Sequence, residues 1–162
     1  MINVTVPVPD DRIDEFYTRF ADFLTDNASR RGATSEVRTE LHTIGRGPDW
    51  LADPDAKERA ARLWHDLTEP GCELLRALIA GVEGNTTRTY SPHDLVEATG
   101  AKSTQSLAGT FGGIGQVIST QQFPVYEYAP GRTWHFIWDW EPKKRLYSIS
   151  PEMAAMLQSV GA

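Results

Sequence analysis

The sequence lacks cysteine pairs and long apolar runs, and each absence excludes a class of protein. Its 162 residues include one cysteine, so neither an internal disulfide nor a multi-cysteine zinc site can form. No stretch reaches the roughly 18 consecutive apolar residues that a membrane-spanning helix needs. The opening MINVTVPVPDD has no basic segment followed by an apolar run, as a signal peptide would. We therefore expect a cytoplasmic protein with no membrane partner.

Positive charge is also scarce in this chain. The formal net charge of −6 argues against a protein that binds nucleic acid through bulk electrostatic attraction. The imbalance is uneven, because residues 1–69 carry 14 acidic and 9 basic side chains, whereas residues 100–150 carry three acidic and five basic ones. A local basic surface in the later part of the chain is compatible with this distribution.

Residue patterns that would carry catalysis or bind a metal are missing as well. The sequence contains no HExxH motif, and no two histidines stand four residues apart, so a histidine metal site is not expected. No serine or cysteine lies in a pattern that supplies it with a base and an orienting acid. We expect a protein that is not an enzyme and that binds no cofactor. The scattered histidines are His42, His65, His93 and His135.

The first third of the chain predicts a strand and a helix followed by a linker. Residues 2–7 alternate apolar and polar side chains, as a half-buried strand does, and residues 11–26 repeat aromatic and aliphatic side chains at helical spacing. Residues 36–44 suit a second strand or a loop equally well. We therefore divide the chain into an N-terminal strand–helix unit with its linker, residues 1–52, and a second domain, residues 53–162. The first helix of the second domain is expected to begin at Asp53 and Pro54.

Residues 68–121 carry the signals of three helices. Thr68 and Ser91 stand at N-cap positions with a proline in the first turn that follows each. Gly100 is typical of the residue that ends a helix in the left-handed conformation. The third helix follows after a short turn.

The remainder of the chain predicts a β-hairpin at 133–149 with its turn near Pro142, and then a helix that begins after Ser150. By strand parity one face of the hairpin is aromatic, and we expect it to cover the helices. The order of helix, helix, short turn, helix and hairpin indicates an α+β fold, a winged helix-turn-helix with an N-terminal strand–helix extension. The residues of the aromatic face are Trp134, Phe136, Trp138 and Trp140.

Several segments together resemble an uncharacterised winged helix-turn-helix family of actinobacteria and their mobile elements. They are LWHDLTEPGCELLRALI, YSPHDLVEATG, SLAGTFGGIGQVI and the aromatic hairpin, preceded by DEFYTRF, which is similar to the family's EFY-containing helix. The resemblance covers most of the chain and implies a DNA-binding-like domain behind a leading strand and helix. At the start of the wing, where the family often has Arg–Pro–aromatic, this chain has GRTWHFIW.

The segment STQSLAGTFGGIGQVIS, residues 103–119, has no charged side chain and contains four glycines. A phosphate-binding loop would need a strand before it and a Gly-Lys-Ser/Thr after it, and it has neither. A helix suits it better, with one apolar stripe at spacings of 4, 3 and 4. The glycines would then permit close approach, either of DNA or of another helix. The stripe consists of Leu107, Phe111, Ile114 and Ile118.

Donors and acceptors at the start of this helix suit the reading of bases, and cations at the hairpin tip suit the holding of phosphates. A solvated helix start and an ordinary surface turn are the alternatives. We expect a regulator of transcription, or a mobile-element protein, that binds double-stranded DNA with helix 103–119 and wing 133–149. The alternative is a winged-helix module that binds a protein. We expect the strand at 2–7 to pair with residues 36–44 or with the same strand of a second copy, and the second pairing would give a homodimer. The expected DNA contacts are Lys102, Ser103, Thr104, Gln105, Ser106, Gly109, Thr110, Arg132, Lys143, Lys144 and Arg145.

Overall fold

A computed structural model describes residues 37–38, 45–129 and 131–162, which belong to one compact unit spanning Ser35–Ala162. This unit mixes helices with small strand pairs, so the coarse α+β class is as expected. The expected strand at 2–7 and helix at 11–26 lie outside the described residues. The pairing of residues 2–7, with residues 36–44 or with the same strand of a second copy, therefore stays a prediction. Light scattering would detect the homodimer that the second pairing gives.

Five α-helices form most of the regular secondary structure in the described residues, and residues 68–121 contain three of them, as the sequence predicted. A 3₁₀ turn at Asp49–Ala52 precedes these helices in the described residues. None of the helices in these residues is long and apolar enough to cross a membrane. The helices are α1 (Ala56–Asp66), α2 (Glu69–Ile79), α3 (Pro92–Thr99), α4 (Thr104–Thr120) and α5 (Pro151–Gln158).

The ends of the helices follow their local signals with two exceptions. Ser91 forms a full capping box at the start of α3, and Gly100 ends that helix with φ +66°, as expected. Thr68 occupies the N-cap position of α2, but its side chain makes no capping hydrogen bond. Helix α1 begins at Ala56, later than expected, because residues 53–55 form a turn in which the Ala56 amide donates to the Asp53 carbonyl at 3.1 Å.

Seven short strands form three small sheets among the described residues. Strands β1, β4 and β5 form one sheet, in which β1 runs parallel to β4, and the pairs β2–β3 and β6–β7 are antiparallel. Strand β1 realises the strand that residues 36–44 allowed, whereas β4 was not expected. The strands are β1 (Val37–Arg38), β2 (Val82–Glu83), β3 (Thr86–Thr87), β4 (Val125–Ala129), β5 (Arg132–Trp134), β6 (Asp139–Glu141) and β7 (Leu146–Ser148).

The expected single hairpin at 133–149 is wrong in its first half. Strand β5 pairs with β4, and only β6 pairs with β7, so the hairpin is confined to 139–148 with a turn after Glu141. Between β5 and β6 the backbone leaves the extended conformation, and Phe136 has φ +51°. The physical reason is burial: Phe136, Ile137 and Trp138 are all at most 4 % exposed, and consecutive residues of a strand cannot all point to one side. Strand parity therefore does not carry one aromatic face through this segment.

The core reaches back into residues that the sequence assigned to a linker. Trp50 is fully buried, and its ring meets Phe123 edge-on at 5.2 Å between centroids. Its backbone amide donates a hydrogen bond to the Tyr126 hydroxyl at 3.0 Å. The 3₁₀ turn is thereby fixed against β4, and the globule begins before α1.

Candidate functional site

Helix α4 presents two opposite stripes of side chains. The buried stripe is the predicted one: Leu107, Ile114 and Ile118 are at most 4 % exposed. Phe111, in the same stripe, is half-buried and packs against the core. Gly71 of α2 permits the close approach of these two helices, because a Cβ there would lie 3.3 Å from Ile114 Cγ1.

The exposed stripe of α4 repeats the same spacing two residues earlier, which turns it about 200° around the helix axis. It reads Gln105, Gly109, Gly112, Gln116, and all four residues are exposed. A Cβ added to either glycine would meet no described atom within 4 Å. Packing inside the described domain therefore does not require these glycines. We call this set of four residues the bare stripe.

The start of α4 is organised by its own hydroxyl groups. Ser103 and Ser106 form a reciprocal capping box, with 3.2 Å between each side-chain oxygen and the partner's amide nitrogen. The Ser106 hydroxyl also donates to the Ser103 carbonyl, and the Thr110 hydroxyl donates to the Ser106 carbonyl. Since three of the expected hydroxyl contacts are engaged locally, Gln105 is left as the long polar side chain in the first turn. Its neighbours Lys102 and Thr104 are also exposed.

The β6–β7 hairpin is attached to the middle of α4 by a stack of rings. The Phe111 ring stacks on Tyr147 with 4.4 Å between centroids, and Tyr147 contacts Trp140, its cross-strand partner, at 4.3 Å. Phe111 also contacts Trp138 at 5.1 Å. Phe111 belongs to the buried stripe, so the hairpin is attached to α4 on the side of that stripe.

The hairpin turn carries the three expected cations, all of them exposed. Lys144 forms an ion pair with Glu141 at 3.0 Å, and Arg145 adopts φ +53°. Arg132 is exposed as well, but it begins β5, which belongs to a different sheet. The structure therefore places Lys143, Lys144 and Arg145 in one turn and Arg132 in a different sheet.

The acidic side chains of residues 100–150 are all engaged. Glu127 accepts a hydrogen bond from the Gly131 amide at 2.8 Å, and Glu141 pairs with Lys144. Asp139 is buried and accepts a hydrogen bond from the Gly45 amide at 3.0 Å. The acidic groups of this part of the chain are therefore held by internal partners.

Two buried titratable groups, His135 and Asp139, were not identified from the sequence. Burial lowers the pKa of His135 to about 3, so its imidazole is neutral, and Nδ1 accepts a hydrogen bond from the Ile137 amide. Burial has the largest effect on Asp139 and, together with the charge of Glu152, raises its pKa to about 6. The hydrogen bond from the Gly45 amide opposes this shift. In the sequence, the position of Asp139 between Trp138 and Trp140 was the one indication that this carboxylate is buried.

Other concave or polar places in the described residues offer less. An open groove of about 410 Å³ lies beside α2 and α3, but Asp94 on its wall is already used in the α3 capping box. Residues 37–38, 45–129 and 131–162 contain no cluster of three histidine, cysteine or acidic side chains that could hold a metal ion. Cys72 is buried in α2, and desolvation raises the pKa of its thiol. The bare stripe of α4 and the basic turn of the hairpin are the more distinctive surface features.

Comparison of the chain with protein-family models, with curated proteins and with solved structures found no match. The geometry of α4 and the hairpin is therefore the basis for a functional assignment.

Proposed function

We propose that the protein binds double-stranded DNA, with the bare stripe of α4 in the major groove and the β6–β7 hairpin beside the phosphate backbone. The observation that carries this proposal is the bare stripe itself. Two exposed glycines in a helix interior each destabilise the fold by about 0.5–1 kcal/mol relative to alanine, and no described neighbour requires them. A surface without side chains suits the close approach of an external partner.

The connection between α3 and α4 supports DNA as that partner. Residues 100–103 join the two helices, and a turn of three or four residues that often contains glycine is typical of the helix-turn-helix motif. In that motif the second helix lies in the major groove with its first residues at the base edges. Gln105 stands in the first turn of α4, and a glutamine amide can pair with adenine through two hydrogen bonds.

The charge around α4 supports the same partner. Lys102 precedes the helix, and the hairpin turn adds Lys143, Lys144 and Arg145 on an element that is fixed to Phe111. Residues 100–150 carry five basic and three acidic side chains, so this part of the chain is net basic although the whole chain has a net charge of −6. On the same grounds we propose that the fold is a winged helix-turn-helix and that the chain belongs to the family it resembles. We also propose that the protein acts in transcription or in a mobile element.

The test is selection of duplexes from a random pool at low salt, followed by titration of the enriched duplex by fluorescence anisotropy. Wild-type protein should enrich a sequence, and its affinity should fall as salt rises because phosphate contacts release counterions. Gly112→Leu should reduce the affinity at least a hundredfold, because the added side chain holds the helix away from the base edges.

Ala155→Leu is the matched control, since it adds an apolar side chain to an exposed position of α5. It should bind like wild type, and both variants should unfold at the wild-type urea concentration or above it. Equal affinity of Gly112→Leu and wild type would rule out the bare stripe as the contact surface.

A protein-binding module is the second candidate, and the net charge of −6 together with the uncharged segment 103–119 favours it. Absence of any enriched duplex at low salt, from protein that circular dichroism shows to be folded, would select this candidate. The bare stripe would then accept a helix or an extended peptide of the partner.

A further inference from the structure

The short turn formed by residues 45–47 is held down by two carboxylates from distant parts of the chain. The Gly45 amide donates to Asp139 Oδ2 at 3.0 Å, and the Gly47 amide donates to Glu152 Oε2 at 3.3 Å. Through this turn the chain passes from the first 44 residues to the core that begins at Trp50. We call it the 45–47 turn.

The turn is a surface element over a buried group. Gly45 and Arg46 are exposed, whereas Asp139 is only 2 % exposed. Gly45 has φ +90°, and a Cβ there would meet no described atom within 4 Å. Gly47 packs closely, since a Cβ would lie 2.9 Å from Glu152 Cβ. Lifting the amino end of the turn would remove the hydrogen bond to Asp139 and let water reach its carboxyl group.

The surroundings of Asp139 disfavour its ionised form. Oδ1 is buried and accepts no hydrogen bond from the described residues. The charge that acts on it is that of Glu152, at the start of α5, which is also negative. His135, four residues earlier, is neutral because burial lowers its pKa to about 3. Arg46, beside Gly45, has a side chain that is 71 % exposed and pairs with Asp49 at 3.2 Å.

We propose that Asp139 and Gly45 form a proton-controlled latch on the 45–47 turn. When Oδ1 carries a proton, Oδ2 still accepts the Gly45 amide and the turn stays closed. When the proton leaves, a buried charge with one hydrogen bond remains, and opening of the turn is favoured because it hydrates that charge. This inference is independent of any partner of α4.

The linkage between protonation and closure gives the sign and the size of the effect. The pKa of Asp139 is about 6 in the closed turn, against an ordinary value of 3.8 when water surrounds the group. Because the closed pKa is raised, closure is strongest below the ordinary value and weakens as pH rises through about 6. Between pH 4.5 and 7.5 the ratio of closed to open turn should fall roughly 25-fold.

Solvent exchange of the Gly45 amide, measured by NMR on the full chain and corrected for the intrinsic rate, tests the latch. We expect its protection to fall roughly 25-fold between pH 4.5 and 7.5. Asp139→Asn should make the protection independent of pH, because an amide accepts the hydrogen bond without titrating. Constant protection in the wild type would overturn the proposal.

The carboxyl carbon of Asp139 provides a measurement that needs no variant at this buried position. Its chemical shift should titrate with a midpoint near 6, and Glu152→Gln should lower the midpoint, because it removes the neighbouring charge but keeps an acceptor for Gly47. A wild-type midpoint below about 4.5, the range of ordinary carboxyl groups, would show that Asp139 is hydrated and that no latch exists.

Discussion

The two stripes of α4 differ in what they reveal about the chain. The buried stripe, Leu107 to Ile118, is apolar and close-packed, and the stability of the domain explains it. The bare stripe has the same spacing on the opposite side, but its two central residues are glycines, and a Cβ added to either would meet no described atom within 4 Å. Where helices do approach closely inside the domain, Gly71 of α2 provides the space. The glycine in α2 is thus explained by helix packing, whereas packing does not explain the two glycines of the bare stripe in α4.

The buried stripe should respond to truncation with the largest change in stability. Ile114→Ala removes a side chain that is 1 % exposed, and it should lower the free energy of unfolding by about 2–5 kcal/mol. Urea denaturation measures the difference. Gln116→Ala, on the bare stripe two residues later, is the control and should change stability by at most about 0.5 kcal/mol. Similar losses for both variants would remove the distinction between the stripes.

The bare stripe should respond in binding instead. Gln105→Ala should weaken binding to the selected duplex by about 1–3 kcal/mol and relax the preference at one base pair, since one side chain reads one base. Anisotropy titrations against duplexes with each base at that position measure both effects. Gln158→Ala, an exposed glutamine of α5, should leave binding unchanged. A uniform loss against all duplexes would assign Gln105 to the phosphate backbone.

The smallest effect concerns the glycines themselves. Gly112→Ala should raise the free energy of unfolding by about 0.5–1 kcal/mol, because alanine favours a helix interior and its Cβ points into open space. Gly71→Ala is the matched control. It should not raise the free energy of unfolding, because its Cβ would lie 3.3 Å from Ile114 Cγ1. Destabilisation by Gly112→Ala in urea denaturation would mean that a neighbour covers the bare stripe after all.

Local signals in the sequence were sufficient for the helices that carry the site. Ser91 and Gly100 act within one turn of their own positions, and the apolar spacing of α4 identified its buried stripe. The turn of the hairpin near Pro142 was local as well. The sequence did not show that Ser106 and Thr110 bond within the helix, because hydroxyl groups suit internal and external partners equally.

Features that depend on distant neighbours were missed. The break between β5 and β6 arises because the core takes Phe136, Ile137 and Trp138 together, and strand periodicity carries no information about that demand. Likewise, the burial of Asp139 depends on the Gly45 turn and on α5, which are remote in sequence. Because of the same break, Arg132 belongs to a different sheet from the hairpin cations.

The parallel pairing of β1 with β4 constrains how the chain is made. Val37 pairs with Val125, so the two partners are separated by roughly 90 residues, and closing so long a loop is entropically unfavourable until other contacts exist. At a synthesis rate of about 5–20 residues per second, β1 waits roughly 5 to 20 s for its partner. Helices α2, α3 and α4 are contiguous and need no such wait. A nascent chain therefore displays an unpaired strand while the helices from α1 to α4 are being synthesised, and a chaperone could bind the strand during this interval.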